Sequence, residues 1–576
     1  MAVLGNAQRH SSAALRPQYP AIFVMKKAIK DKHKGVRVLL VGAEDEENLS
    51  IRYLAAVLEK EGHEAEIAPC SNISHYKKVL STVSRHGPDI IGLSIAFQCL
   101  SGVFFDLVRL IRKNGYAGHI IVGGHFPTFE YMKILETNPG IDSVGRFEGE
   151  KTIVELANHL SGDHQLSEVT NLVYRTPEGT IHVNQCLYRF PVLDELPFPK
   201  RADKPQKRLG EKFATLAASR GCWHSSCLYC CIGAFHSKKE GKKFDLRSPE
   251  NVAEEIGSLY HKKGVRLFQF HDDNFMLPSK EETVNRINDL KKAIEEKGID
   301  TEDIAFLIKA RPDTVDMKVA SALKEMGAVG VFLGVENASP TGLKALIRGS
   351  SIEDVVRAVS AFRKADIITT YNLLIFHPTA TLDEINQNIL FAKENIDLPF
   401  DFGRAEIVAG SPLERMLVKN DGLRGAWPNW NYEIKDVLVE KMFKINCLTF
   451  RRKESPYSGL AESTIAMAYH AYALKRLHKG PAADRLAGEA KDLTKDINRF
   501  IIKELMELYD LTLRKTEKED IEKLNIEIAT GCDKRMVSMK KTTNRMLRLQ
   551  AIEGIFDIMG VKESAQDMRL NPLLRF

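Results

Sequence analysis

Twice along this chain, short apolar runs alternate with amphipathic stretches, and that alternation restricts the fold more than any other feature. Residues 36–41 (VRVLLV), 90–95 (IIGLSI) and 119–122 read as buried strands. Residues 51–61, which stop at Gly62, and 105–111 carry helical spacing. Strands separated by helices pair in parallel through right-handed crossovers, and their ligands sit beyond the carboxyl ends of the strands. Segment 166–210 is hairpin-like and then proline-rich (Pro191, Pro197, Pro199), which reads as a linker. A second series follows, with strands expected at 214–218, 267–271, 305–309, 330–334, 370–376 and 404–408, and helices such as 248–261 and 314–326. Six strand–helix units describe a full or partial (β/α) barrel, whose chemistry belongs at the C-terminal ends of its strands. Past residue 430 the strand signals fade, and 463–478, 483–511 and 534–558 read as amphipathic helices. The expected division is an extension at 1–33, an α/β domain at 34–165, the linker, a barrel at 211–428 and a helical domain at 429–576.

Charge narrows the function. The formal net charge of +6, from 82 basic and 76 acidic residues in 576, is too small to argue for nucleic acid. Lys238, Lys239, Lys242 and Lys243 read as a solvated loop. Residues 1–19 hold no apolar core of signal-peptide length, and no run is long enough for a membrane span, so a cytoplasmic protein is expected. Of nine cysteines, Cys70, Cys99, Cys186, Cys447 and Cys532 are scattered, whereas Cys222, Cys227, Cys230 and Cys231 fall together. In a reducing compartment such a cluster reads as a metal site rather than as disulfides.

The segment is Ser219-Arg220-Gly221-Cys222-Trp223-His224-Ser225-Ser226-Cys227-Leu228-Tyr229-Cys230-Cys231, directly after an expected strand. Three thiolates on one short loop can hold three corners of an iron–sulfur cubane and leave the fourth iron open for a small ligand. Zinc is the alternative, but it wants four closed ligands, and His224 or Cys231 would have to complete the set within one loop. Cys231 directly follows Cys230 and is expected to pack rather than to ligate.

A strand, then Arg-Gly-Cys, then spaced cysteines with an aromatic before the last, resembles the radical S-adenosylmethionine superfamily. The common spacing there is three residues and then two. Here it is four and then two, an expansion similar to that of some cobalamin-dependent members. The resemblance implies a [4Fe-4S] cluster on Cys222, Cys227 and Cys230. It also implies S-adenosylmethionine contacts from Tyr229, from Asp272 and Asp273 in Phe268-Gln269-Phe270-His271-Asp272-Asp273, from Arg311 in Lys309-Ala310-Arg311-Pro312-Asp313, and from Glu336 in Gly334-Val335-Glu336-Asn337. Solvated loop carboxylates or helix caps are the alternative for the acidic residues. The fifth strand departs from the family. Phe376-His377-Pro378-Thr379-Ala380-Thr381 stands where a Gly-x-Pro-Gly-x-Thr turn is usual.

The first α/β domain resembles a Rossmann-like cobalamin-binding domain, on Gly92-Leu93-Ser94-Ile95, Gly123-Gly124-His125-Phe126-Pro127 and Gly145-Arg146-Phe147-Glu148-Gly149-Glu150. The resemblance implies cobalamin contacts from Glu47, Asn48, Ser94, Gly123, Gly124, His125, Glu148 and Glu150, with His125 equally readable as a turn residue. Many cobalamin proteins carry a cobalt-ligating His in the first loop. Glu47 stands there in this chain, so no protein imidazole on cobalt is expected. A flavodoxin-like domain without cofactor is the alternative. Together the resemblances imply a cobalamin-dependent radical enzyme. It would split S-adenosylmethionine into methionine and a 5′-deoxyadenosyl radical, and most simply methylate an unactivated carbon of a small-molecule or peptide natural product. Its electrons would come from an external flavodoxin or ferredoxin. A non-methylating cyclisation, oxidation or rearrangement with the same cofactors, and a non-enzymatic regulator or chaperone, are the competing readings. No nucleic-acid or membrane partner is expected.

Overall fold

The computed structural model describes residues 35–96, 98–185, 192–236, 244–453 and 455–559. The extension at 1–33, Cys186, Pro191 and the lysines of 238–243 lie outside the described residues. Within them, two open sheets face each other across one cleft.

The first sheet has the order β2-β1-β3-β4-β5-β6-β7. Its parallel part is β1 (Arg37–Gly42), β2 (Glu64–Pro69), β3 (Ile90–Ser94), β4 (His119–Gly123) and β5 (Ser143–Gly145). Val38, Leu39, Val41 and Ile91 are buried because helices cover both faces. Leu49–Lys60 and Glu150–Ser161 pack on one side; Tyr76–His86, Ser101–Lys113 and His125–Thr137 pack on the other. Strand order reverses at β1 and β3, so a crevice opens beyond their carboxyl ends. The hairpin expected in the linker belongs to this sheet. β6 (Leu172–Arg175) runs antiparallel to β5, and β7 (Ile181–Val183) to β6, which carries the sheet past residue 165. Buried Leu172 and Val173 explain why the hairpin stays attached.

The second sheet is a partial barrel of six parallel strands: β9 (Glu211–Leu216), β12 (Leu267–Phe270), β13 (Ala305–Ala310), β14 (Ala328–Glu336), β15 (Ile368–Phe376) and β16 (Phe400–Arg404). β8 (Gln206–Arg208) pairs antiparallel on the outside of β9. The short antiparallel pair β10 (Ser219–Gly221) and β11 (Phe244–Leu246) stands at the rim. The last parallel strand differs from the expectation at 404–408. Ala405, Ile407 and Ala409 are buried in alternation, so the segment is extended, but it lies beyond the ladder. The strand itself is anchored earlier, where Phe400 stacks on Tyr371 and Phe402 packs on Phe450 and Tyr457.

The C-terminal helices Tyr457–Leu477, Pro481–Leu513 and Lys518–Met559 gather at the opposite end of the barrel from the rim, whereas Val437–Leu448 sets Phe443 against Phe376 and Arg404 at the ends of β15 and β16. Tyr469 Oη bonds Thr370 Oγ1 (2.6 Å) at the start of β15. Arg476 donates to the carbonyls of Ile304 (2.8 Å) and Thr301 (2.6 Å) ahead of β13. This domain therefore closes the barrel floor. Tyr457 and His470 are core residues there. Among the described residues no helix is long and apolar enough to cross a membrane.

Two ties are among the contacts that hold the sheets together. The hairpin β17 (Arg424–Ala426) and β18 (Asn429–Asn431) lays Trp427 on Phe105, with ring centroids 5.9 Å apart, and Trp427 donates to Glu130 (2.7 Å). Opposite it, the buried Glu47 carboxylate pairs with Arg201 and accepts the Thr215 backbone N–H (3.1 Å).

Candidate cofactor site

β9 ends at the rim, the chain passes through β10, and the cysteine loop begins immediately after Gly221, whose φ of +86° suits a residue without Cβ. Neighbouring loops pin it. Leu228 N–H donates to the Leu346 carbonyl (3.0 Å), Leu413 N–H donates to the Leu228 carbonyl (2.7 Å), and Trp223 donates to the Met276 carbonyl (3.2 Å).

The four thiols of the loop have unequal surroundings. Cys227 is buried and receives Arg348 Nη1 at 3.2 Å and Arg311 Nη1 at 3.9 Å. Burial alone would raise its thiol, but the His224 hydrogen bond and the two guanidiniums outweigh this and bring it down to about 7. Burial pushes Cys222 up to about 11 and Cys231 up to about 12, and it raises Cys230 as well. Among the described residues no group of three His, Cys, Asp or Glu side chains is placed to hold a single metal ion.

Tyr229, Arg311 and Glu336 come together through Arg348. Arg348 Nη1 also donates to Tyr229 Oη (3.1 Å), its Nη2 donates to the Gly334 carbonyl (2.7 Å), and Glu336 faces both Arg348 and Tyr229. Burial raises the Glu336 carboxyl against both partners. Arg311 bonds Asp313 (3.0 Å) and lies 5.1 Å from the Trp223 ring centroid.

The two aspartates part company. Asp272 is buried and accepts the Ala218 N–H (3.0 Å) and the Ser219 hydroxyl, so it braces the start of the cysteine loop rather than facing open space. Asp273 opens into a cavity, with Lys309 nearby and the Gly221 N–H on its carboxylate; burial raises its carboxyl.

That cavity, ≈ 290 Å³, lies between the two sheets. The crevice of the first sheet lines it with Gly92, Ser94, Gly123, Gly124 and His125; Ser219, Arg220, Gly221 and Asp273 line it from the barrel rim. Deeper, Leu40, Leu54, Ile121 and Ile153 make it apolar. A Cβ on Gly92 would stand 2.9 Å from Leu40 Cδ2, and Gly124 has φ +113°, so both glycines keep the cavity open. Glu148 and Glu150 also line it, held at 3.4 and 2.7 Å by Arg220, the arginine of the Arg-Gly-Cys motif. The His125 ring lies 4.5 Å from that of Phe235, and burial lowers the imidazole to about 4, so it is neutral. Glu47 and Asn48 do not line the cavity. Glu47 makes the tie between domains, and Asn48 caps helix Leu49–Lys60 by accepting the Ser50 N–H (3.1 Å). The expected turn after β15 is buried as well. His377 bonds Glu384 (3.1 Å), and Thr381 caps the next helix.

The residues suit both implied groups. The guanidinium Nε atoms of Arg311 and Arg348 are buried without a hydrogen-bond partner, and both guanidiniums reach Cys227, which suits an anionic cluster on the three cysteines. An apolar, glycine-lined cleft at a strand-order reversal suits a large flat ligand. Arg348 escaped the sequence reading, because the only local signal is an arginine before Gly349.

Comparisons with known proteins agree with this geometry. The family model "B12 binding domain" matches residues 13–157, and "Radical SAM superfamily" matches 216–392. An uncharacterized methyltransferase of Pyrococcus horikoshii is 27% identical over 399 residues, 68% of this chain and 80% of its own length. An anaerobic magnesium-protoporphyrin IX monomethyl ester cyclase of Synechocystis is 27% identical over 325 residues, 53% of this chain and 59% of its own length. Among solved structures, the cobalamin-dependent S-adenosylmethionine radical enzyme OxsB, with aqua-cobalamin and S-adenosylmethionine bound, superposes with a TM-score of 0.64. The match covers 93% of this chain and 83% of that one at 18% identity, a likeness of fold.

Proposed function

The chain belongs to the cobalamin-dependent radical S-adenosylmethionine enzymes, with [4Fe-4S], S-adenosylmethionine and cobalamin as cofactors, and from that premise we propose that it is a methyltransferase. Its methyl acceptor is an unactivated carbon of a small-molecule or peptide natural product. The observation that carries this reading is one shared cavity. Gly123, Gly124 and His125 of the first domain and Gly221 and Asp273 of the cysteine rim face the same space. When bound, the cluster and S-adenosylmethionine supply a hydrogen-abstracting radical, and cobalamin supplies the methyl group.

This chain's residues position those groups. Cys222, Cys227 and Cys230 hold the cluster and release their protons as it loads. Tyr229, Arg311, Glu336 and Asp273 would bind S-adenosylmethionine, the arginine supplying positive charge for its carboxylate. Arg220 bridges the cysteine loop to Glu148 and Glu150, so the two cofactor sites hold a constant separation. An external flavodoxin or ferredoxin delivers the electrons.

The cyclase relative favours a second reading, a non-methylating radical reaction with the same cofactors. The test is anaerobic reconstitution with iron, sulfide and hydroxocobalamin, followed by S-adenosylmethionine and a low-potential reductant. We expect 5′-deoxyadenosine, methylcobalamin and, with substrate, a product heavier by a methyl group. A product without that mass selects the second reading. If neither 5′-deoxyadenosine nor methylcobalamin forms, both readings fail.

A further inference from the structure

We infer that Arg311 and Arg348 act as a pair of positioning residues on a single cluster ligand, Cys227, and through it raise the reduction potential of the cluster. The inference rests on the reading of Cys227 as a ligand and goes beyond it.

The geometry is specific. Arg348 Nη1 lies 3.2 Å and Arg311 Nη1 3.9 Å from Cys227 Sγ. Both arginines are 4% exposed and the cysteine 7%. The pair is joined, because Arg311 Nη2 donates to the Arg348 carbonyl at 2.6 Å. Arg348 is held from its other side by the Gly334 carbonyl (2.7 Å), and Trp223 covers Arg311. Among the described residues no guanidinium hydrogen bond reaches Cys222 or Cys230, although the charge of Arg311 also acts on Cys222, so the contact is closest at one corner of the site.

The protein's own carboxylates offset only part of this charge. Asp313 pairs with Arg311 at 3.0 Å and offsets that one guanidinium. Glu336, the carboxylate facing Arg348, has its ionised form disfavoured by burial. Each guanidinium retains a buried Nε without a partner. A guanidinium remains charged at any working pH, so the positive potential is permanent.

The consequence follows from electrostatics. One-electron reduction adds a negative charge to the cluster. Hydrogen bonds and positive charge at a ligating sulfur stabilise the reduced form and raise the potential. In a water-poor interior this effect is weakly screened. The arginine pair thus brings the cluster within reach of an external electron donor while adding no ligand.

The test uses full-length protein reconstituted with cluster, without S-adenosylmethionine, in an EPR-monitored redox titration. Arg348→Met is expected to keep wild-type iron and sulfide. At a fixed poise near the wild-type midpoint, its ratio of reduced to oxidised cluster should fall about tenfold, equivalent to ~59 mV for one electron. Arg348→Lys should recover most of that ratio, because it restores the charge. An Arg348→Met protein with full iron and an unchanged midpoint overturns the inference. So does loss of iron in both variants, which would make Arg348 an assembly residue. Cys227→Ala separates the underlying reading. It should lose cluster iron; full iron retention would remove Cys227 from the ligand set and the inference with it.

Discussion

The two ends of the barrel are built from the same strands and finished in opposite ways. At the floor, helix Tyr457–Leu477 seats Tyr469 on Thr370 and Arg476 on two strand-entry carbonyls, and His478 meets Glu211. These groups find protein partners, although the helical domain also buries Asn498 Oδ1 and Glu504 Oε2 without one. At the rim, two arginine Nε atoms and Asp313 Oδ1 are buried without a hydrogen-bond partner, and Asp273 faces a cavity. Native proteins rarely leave buried polar groups unmatched. What separates the two ends is that helices close the floor, whereas the rim opens onto a cavity, as expected of a fold whose chemistry sits at the C-terminal strand ends.

Removing a ligand at the rim should break this comparison most severely. Cys222→Ala is expected to abolish the cluster signal and bring 5′-deoxyadenosine below detection, while far-UV circular dichroism stays that of the wild type. Iron analysis and product chromatography check it, and a variant that keeps cluster and activity would remove Cys222 from the ligand set.

Next in size is a substitution in the cavity. Gly92→Leu fills space that the structure keeps open, because its Cβ alone would press on Leu40. Retained cobalamin, measured by absorbance after gel filtration, should fall at least about tenfold, roughly 1.4 kcal/mol in binding. Iron content should not change, because the cysteine loop lies across the cavity. A simultaneous loss of iron would mean that the two cofactor sites cannot be separated.

A floor substitution should show the reverse pattern. Arg476→Met removes donors to Thr301 and Ile304 and leaves both carbonyls short of a partner. The expected cost is about 2–4 kcal/mol in urea unfolding, from two lost bonds to buried groups. Iron and cobalamin per folded chain should match the wild type. Lower cofactor content in the folded fraction would show that floor and rim are coupled.

The sequence carried the rim better than the rim's partners. Strand β1 is legible because both of its faces are buried and it reads as one apolar run. The expected strand at 404–408 misleads past Arg404, because alternation marks an extended segment whether or not it joins a ladder. Cys222, Cys227 and Cys230, the proposed ligands, stand out because spaced cysteines on one loop form a local pattern. Arg348 is not, because 121 residues separate it from Cys227 and a lone arginine does not announce its target. Glu47 and Asp272 illustrate the same limit from the other side. A carboxylate's position in the chain does not say whether a ligand or a neighbouring backbone will take it, and here Thr215, Ala218 and Ser219 do. Local pattern thus identifies groups that act as a set in the chain, and tertiary packing assigns the others.

The smallest expected effect concerns charge at the floor. Burial by itself would raise the Glu211 carboxyl, but hydrogen bonds from His478 (2.6 Å) and Gln550 (2.9 Å) outweigh it and hold the group below its ordinary value. A carboxyl depressed in the folded state stabilises the fold above its unfolded value, about 4.3 for glutamate, and that stabilisation is lost as pH falls through the lower folded value. Wild-type protein should therefore lose on the order of 1 kcal/mol from this contact between pH 6 and the acid side of pH 4. Glu211→Gln keeps the shape but cannot ionise. It should start less stable at pH 6, and the gap to wild type should narrow as the pH falls. Urea midpoints of the two proteins across that range check it. A gap that stays constant would show that the contact contributes as a neutral hydrogen bond, and it would leave the floor held by packing and backbone bonds alone.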